Sequence, residues 1–119
     1  MKISYKGLTR TVILVGRFAF KFPTVQLSHY EFLRGCCDNW KERSNYKYIR
    51  KHQKEHLENI SPSYFCFLFG LLQIQARCEE FESEPSKEQK EFFFHYCKND
   101  CKKDNLGWYN GKVVCLDYA

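Results

Sequence analysis

Asn110-Gly111 stands between Leu106-Gly107-Trp108-Tyr109 and Lys112-Val113-Val114-Cys115-Leu116. Two residues that tolerate positive φ, set between apolar runs of strand-forming residues, are the strongest short signal for a tight β-hairpin. A second hairpin is written near the other end of the chain. There Arg10-Thr11-Val12-Ile13-Leu14-Val15 and Phe18-Ala19-Phe20-Lys21-Phe22 flank Gly16-Arg17, and Pro23 stops the run. The stretch from Tyr64 to Gln75 is too aromatic for a comfortable helix, and reads as two buried strands around Gly70, entered after Pro62. With 44% hydrophobic and 18% aromatic residues in 119 positions, the chain has material for one core and does not read as intrinsically disordered.

Helices separate these strands. Ser28-His29-Tyr30-Glu31 is a capping box, and Leu33, Cys36, Cys37 and Trp40 follow at helical spacing. Helical character is expected to run to about His56, with a break near Ser44-Asn45. Glu79 to Pro85 reads as a loop. Ser86-Lys87-Glu88-Gln89 is a second capping box, opening a short helix through Phe92, Phe93 and Tyr96. The expectation is one small α+β domain, residues 1–119, of antiparallel hairpins packed with two or three helices.

No apolar run approaches the ~20 residues of a membrane helix, and Met1 to Lys6 lacks the hydrophobic segment of a secretory signal. A cytoplasmic protein is therefore expected, and its seven cysteines are expected to be reduced. Cys36, Cys37, Cys66 and Cys115 lie in apolar surroundings, where a thiol acts as a small hydrophobe. Cys78, His95, Cys97 and Cys101 form the competing zinc reading, without the two tight ligand pairs usual in structural sites.

The formal charge is +5, from 19 Lys+Arg against 14 Asp+Glu. Its densest cluster is Lys41, Arg43, Lys47, Arg50, Lys51 and Lys54, interleaved with Tyr46 and Tyr48. Such a cluster suits an acidic protein surface, a nucleoprotein complex or, more weakly, nucleic acid itself. The plainer reading is the solvated face of a helix whose tyrosines pack inward, diluted by Glu42, Glu55 and Glu58.

A terminal hairpin brings the residues before its first strand close to those after its second, so Asn105 and Asp117 should be neighbours. Asp100 or Asp104 is expected nearby. Hard oxygen donors gathered this way suit Mg2+ on a nucleotide phosphate; a polar turn capped by Asx side chains suits them equally.

Asp-x-x-x-x-Asn, then a hairpin, then Asp-aromatic-small resembles the catalytic loop and metal-binding aspartate of protein-kinase-like folds. The resemblance implies Asp100 as catalytic base, Asn105 and Asp117 as Mg2+ ligands, and ATP as the nucleotide. Phe18-Ala19-Phe20-Lys21 resembles the kinase Val-Ala-Ile-Lys strand. That implies Lys21 as the phosphate-pairing lysine, with Glu31 or Glu42 on the next helix as its carboxylate. Read without the resemblance, Lys21 is a lysine snorkelling from a strand edge. The glycine-rich loop is missing, Lys98-Asn99-Asp100 replaces His-Arg-Asp, and no substrate lobe is expected after Ala119.

The chain also resembles small proteins encoded by phages and prophages. They share its Arg10 to Pro23 start, its Phe32-Leu33-Arg34-Gly35 segment and its Lys102 to Tyr118 end. Together the resemblances imply a truncated kinase-like scaffold that binds and inhibits or redirects a host macromolecule, such as a defence nucleoprotein complex. The enzymatic alternative they imply is a minimal kinase or nucleotide-binding pseudokinase using Lys21, Asn105 and Asp117.

Overall fold

The computed structural model describes residues 2–4, 10–24, 28–97, 101 and 105–118, with side chains from residue 10 onward. The first hairpin pairs β2 (Arg10–Val15) with β3 (Phe18–Pro23), preceded by β1 (Lys2–Ser4). Its turn works because Gly16 takes φ 56°, a conformation that costs a residue without Cβ little. After α1 (His29–His52) and a 3-10 turn over Lys54–Asn59 come β4 (Ser63–Phe67) and β5 (Leu72–Ala76). These join the first hairpin in an antiparallel sheet of order β1-β2-β3-β5-β4. A smaller antiparallel sheet pairs β6 (Glu79–Glu80) with β7 (Leu106–Tyr109) and β8 (Lys112–Cys115), with α2 (Lys87–Cys97) in the connection. The described residues thus form an α+β domain with antiparallel sheets.

Both expected capping serines cap their helices, and the second box closes fully. The Ser28 Oγ accepts from the Glu31 amide at 3.3 Å. At α2 the exchange is reciprocal, Ser86 N to Gln89 Oε1 at 2.9 Å and Gln89 N to Ser86 Oγ at 3.2 Å. Asn110 and Gly111 take φ 53° and 77°, the left-handed pair that an Asn-Gly hairpin turn requires.

Four expectations are corrected. First, α1 does not break at Ser44-Asn45; Asn45 instead donates from the intact helix to the Tyr118 carbonyl at 2.8 Å. Second, its buried stripe is Gly35, Cys36, Asn39 and Glu42, while Leu33 and Trp40 stay exposed. The helix turns this stripe inward because Glu42 is claimed by two buried cations and Gly70 packs against the Cys36 carbonyl. A Cβ at Gly70 would come within 1.9 Å of that oxygen. Third, the 79–85 segment is not all loop, since Glu79 and Glu80 pair with Trp108 and Gly107. Gly107 permits this approach: a Cβ there would meet the Cys78 Cβ at 2.9 Å. Fourth, the Tyr64–Gln75 strands are buried on one face only, leaving Phe65 and Phe67 about half exposed.

The apolar core lies in the second half of the chain. Ile60, Phe93, Tyr96, Cys97, Leu106, Cys115 and Tyr118 cluster there between α2, the 3-10 turn and the β7–β8 hairpin. Under the five-stranded sheet the interior is different in kind.

Candidate functional site

In a strand successive side chains point to opposite faces, so β2, β3 and β5 each offer one set of residues to α1. The register aligns Val12 with Lys21, Lys21 with Gln73, and Ala19 with Gln75. This inward set also includes Arg10, and beside the apolar Val12, Leu14 and Ala19 it carries four buried polar residues: Arg10, Lys21, Gln73 and Gln75 are all at most 6% exposed. Groups of this kind are tolerated inside only when paired and hydrogen-bonded.

Glu42, fully buried on α1, supplies the pairing. Its carboxylate accepts a two-pronged contact from Arg10, at 2.7 and 3.0 Å. The same group accepts from Lys21 Nζ at 3.0 Å, Gln73 Nε2 at 2.8 Å and the Tyr118 amide at 3.2 Å. Arg10 also reaches Asp117 Oδ1 at 2.8 Å, and Lys21 donates a second bond to the Leu116 carbonyl at 3.1 Å. Asn39 locks the frame by donating to the carbonyls of Lys21 and Gly70 at 3.0 and 2.8 Å. Two cations and two carboxylates therefore sum to zero.

The titration behaviour follows from this arrangement. Burial alone would push the Glu42 carboxyl up, but Arg10 and Lys21 outweigh it and hold the group well below its usual value. Arg10 is likewise held charged against the cost of burial, chiefly by Glu42. Burial draws the Lys21 ammonium below its usual value, with the Arg10 charge adding to the effect and Glu42 opposing it. Asp117 is pushed up from 3.8 to about 6 by burial and the nearby Glu42 charge, Arg10 only partly compensating.

Beside the cluster lies a cavity of about 50 Å³. Val12, Leu14 and Ala19 form its apolar wall, and Lys21, Asn105 and Asp117 its polar one. Asn105 and Asp117 are neighbours, as hairpin geometry required, tied by the Leu116 amide donating to the Asn105 carbonyl at 2.8 Å. The structure therefore brings Lys21, Asn105 and Asp117 to one cavity. Of the two carboxylates weighed for Lys21, Glu42 is the one in contact, while Glu31 sits in the first turn of α1, where its amide is capped by Ser28. Asp100 lies outside the described residues.

ATP with Mg2+ does not fit this arrangement. The enclosed space of about 50 Å³ holds a few waters, at ~10–15 Å³ each, and is short of what a nucleotide needs. Lys21 is already matched by Glu42, and Asp117 by Arg10.

The remaining sequence candidates are dispersed. Lys41, Lys47, Arg50 and Lys51 are exposed on α1, with the Arg50 guanidinium 5.9 Å from the Tyr46 ring centroid. Arg43 is half-buried and donates to the Ser63 carbonyl, tying α1 to β4. The zinc candidates have other partners. Cys97 Sγ lies 2.6 Å from Cys115 Sγ, Cys78 contacts Ser61 Oγ at 3.6 Å, and the His95 ring packs on His56 and Tyr96. Among the described residues no group of three or more His, Cys, Asp or Glu could hold a metal ion. None of their helices is long and apolar enough to cross a membrane.

Sequence reasoning missed Arg10, Gln73 and Gln75. The signal was present: Arg10 and Lys21 fall on the same face of one hairpin, and Leu72-Gln73-Ile74-Gln75 alternates strictly.

Comparison with known proteins adds no relative. No family model, curated protein or solved structure matches the chain.

Proposed function

We propose that this chain is a small, phage-encoded, non-catalytic kinase-like protein that works by binding a host macromolecule and inhibiting or redirecting it. The observation that carries this reading is the closed ion cluster. The residues that would meet a phosphate in a kinase, Lys21 and Asp117, are neutralised by Glu42 and Arg10 beside a cavity of about 50 Å³. Phosphoryl transfer depends on positioning the nucleotide, and a group already paired inside the protein does not position one. The kinase-like order of lysine strand, helix, hairpin and terminal aspartate serves in this reading as a scaffold. What the scaffold presents is the exposed basic row on α1, suited to an acidic host protein or a nucleoprotein complex.

The second reading, a nucleotide-binding pseudokinase or minimal kinase, is favoured by the placement of Lys21, Asn105 and Asp117 on one cavity. It requires the β7–β8 hairpin to move away from β2 and β3. Two measurements separate the readings. Capture of a host component should be lost when Lys47, Arg50 and Lys51 are all changed to Glu and retained in Asp117→Asn. A thermal shift with millimolar ATP and Mg2+ that is lost in both Lys21→Ala and Asp117→Asn would overturn the binding-protein reading in favour of the nucleotide site.

A further inference from the structure

The alternation that turns Lys21, Gln73 and Gln75 inward has a consequence on the other face of the five-stranded sheet. Phe18 and Phe20 on β3, Ile13 on β2, Ile74 on β5, and Phe65 and Phe67 on β4 all point outward. None of the six is buried; Phe18, Phe65 and Phe67 are 38%, 46% and 51% exposed. The outward positions of β2, β3, β4 and β5 carry no charge. Helix α1 occupies the opposite face, and α2 packs against β8. The sheet thus carries its charged and amide side chains on the covered side, among Val12, Leu14 and Ala19. Among the described residues no helix covers its uniformly uncharged, mostly apolar other side, where the usual antiparallel sheet faces water with polar residues.

We infer that this open face is a dimer interface, closed by the same face of a second copy of the chain. Size is the first argument. The outward side chains leave on the order of 500 Å² of apolar surface per copy, so a pair buries about 1,000 Å², the lower bound for a specific interface. Geometry is the second. A twisted sheet is best covered by another of the same hand, and two identical faces meet about a two-fold axis as an aligned sandwich. Charge is the third. A net +5 opposes self-association in general, but a face without charged side chains lets the copies meet with their basic α1 helices on the outer surfaces.

The interface is formed by a different surface from the basic row of α1, so its failure and that of the binding reading are distinguishable. Sedimentation equilibrium of the full chain between roughly 1 and 100 µM covers the range where an interface of this size associates. The parent is expected to be a dimer. Phe65→Glu with Phe67→Glu should raise the dissociation constant at least tenfold with unchanged circular dichroism, because it sets four carboxylates into the interface. If that variant does not fold, Phe65→Ser with Phe67→Ser gives the same readout without the charge. A parent that stays monomeric throughout overturns the proposal, including the case where it floats instead with phosphatidylcholine vesicles. So does a dimer that survives both variants, or one broken by changing Lys47, Arg50 and Lys51 to Glu.

Discussion

Two Lys–Glu pairs in this molecule have nearly the same length and opposite surroundings. Lys21 and Glu42 meet at 3.0 Å with side chains 8% and 0% exposed, whereas Lys112 and Glu58 meet at 3.1 Å with 46% and 67%. The first belongs to the interior beneath the five-stranded sheet, where ions and amides sit among a few small apolar side chains. The second lies on the surface of the other half, whose interior is apolar and built from Ile60, Phe93, Leu106 and Cys115. The contact distances are alike, so what differs is the cost of leaving a partner alone. In the buried cluster an orphaned charge keeps its desolvation penalty, whereas at the surface water takes the partner's place. Tyr118 joins the two interiors. Its ring sits in the apolar core, its amide donates to Glu42, and its hydroxyl donates to the Ser61 carbonyl at 2.8 Å.

The largest expected effect lies in the cluster. Glu42→Ala leaves Lys21 in the interior without a carboxylate and Arg10 with Asp117 alone, and should cost about 3–5 kcal/mol, measured by urea denaturation. The sharper test is a cycle. Replacing Lys21 and Glu42 together by Met should cost much less than Glu42→Ala alone, because no unpaired charge remains of that pair. Leu106→Ala in the apolar half should cost about 2–5 kcal/mol. It should add to Glu42→Ala within about 0.5 kcal/mol if the two interiors are independent. Strong coupling between them would mean that Tyr118 makes the halves one unit.

These differences bear on how much the sequence could say. Turns and caps were legible because they are local: Asn110-Gly111, Gly16, Ser28 and Ser86 each act within four residues of themselves. The nearness of Asn105 to Asp117 followed from hairpin geometry alone. The partner of Lys21 did not follow in the same way. Glu31 and Glu42 are both on α1, and its apolar residues do not mark an inward face, since Leu33 and Trp40 remain exposed while Asn39 and Glu42 go in. That choice is made by the sheet, through Arg10 and Lys21, and becomes visible only when both are set on one face. Gln73 and Gln75 were hidden by the aromatic density around them, which suggested strands buried on both sides. The strict alternation, read literally, states that one side is polar.

Acidity should next separate the two carboxylates of the ionic interior. Glu42 is held below its ordinary 4.5, so its stabilising contribution is present above that pH and is lost as pH falls through its lowered folded value. Asp117 has the opposite sign. Raised from 3.8 to about 6, it keeps its proton in the folded state after the unfolded chain has released it, so stability falls as pH rises through that window. Stability measured from pH 3 to 7 should therefore lose its falling component between 3.8 and 6 in Asp117→Asn. Glu42→Gln should remove the loss on the acid side. A profile unchanged by both variants would contradict the ionic interior.

The smallest effect completes the contrast, because it removes a cation from a pair of the same geometry. Lys112→Ala should change stability by no more than about 0.5–1 kcal/mol, and most of that should disappear in molar salt, since the pair is solvated on both sides. Lys112 pairs across the hairpin with Tyr109, next to the Asn110-Gly111 turn, where the backbone is set by local conformational preference. A cost approaching that of Glu42→Ala would show that the β7–β8 hairpin depends on its tie to the 3-10 turn through Glu58. The equivalence of the two pairs would then lie in position within the fold, and burial would not be what ranks them.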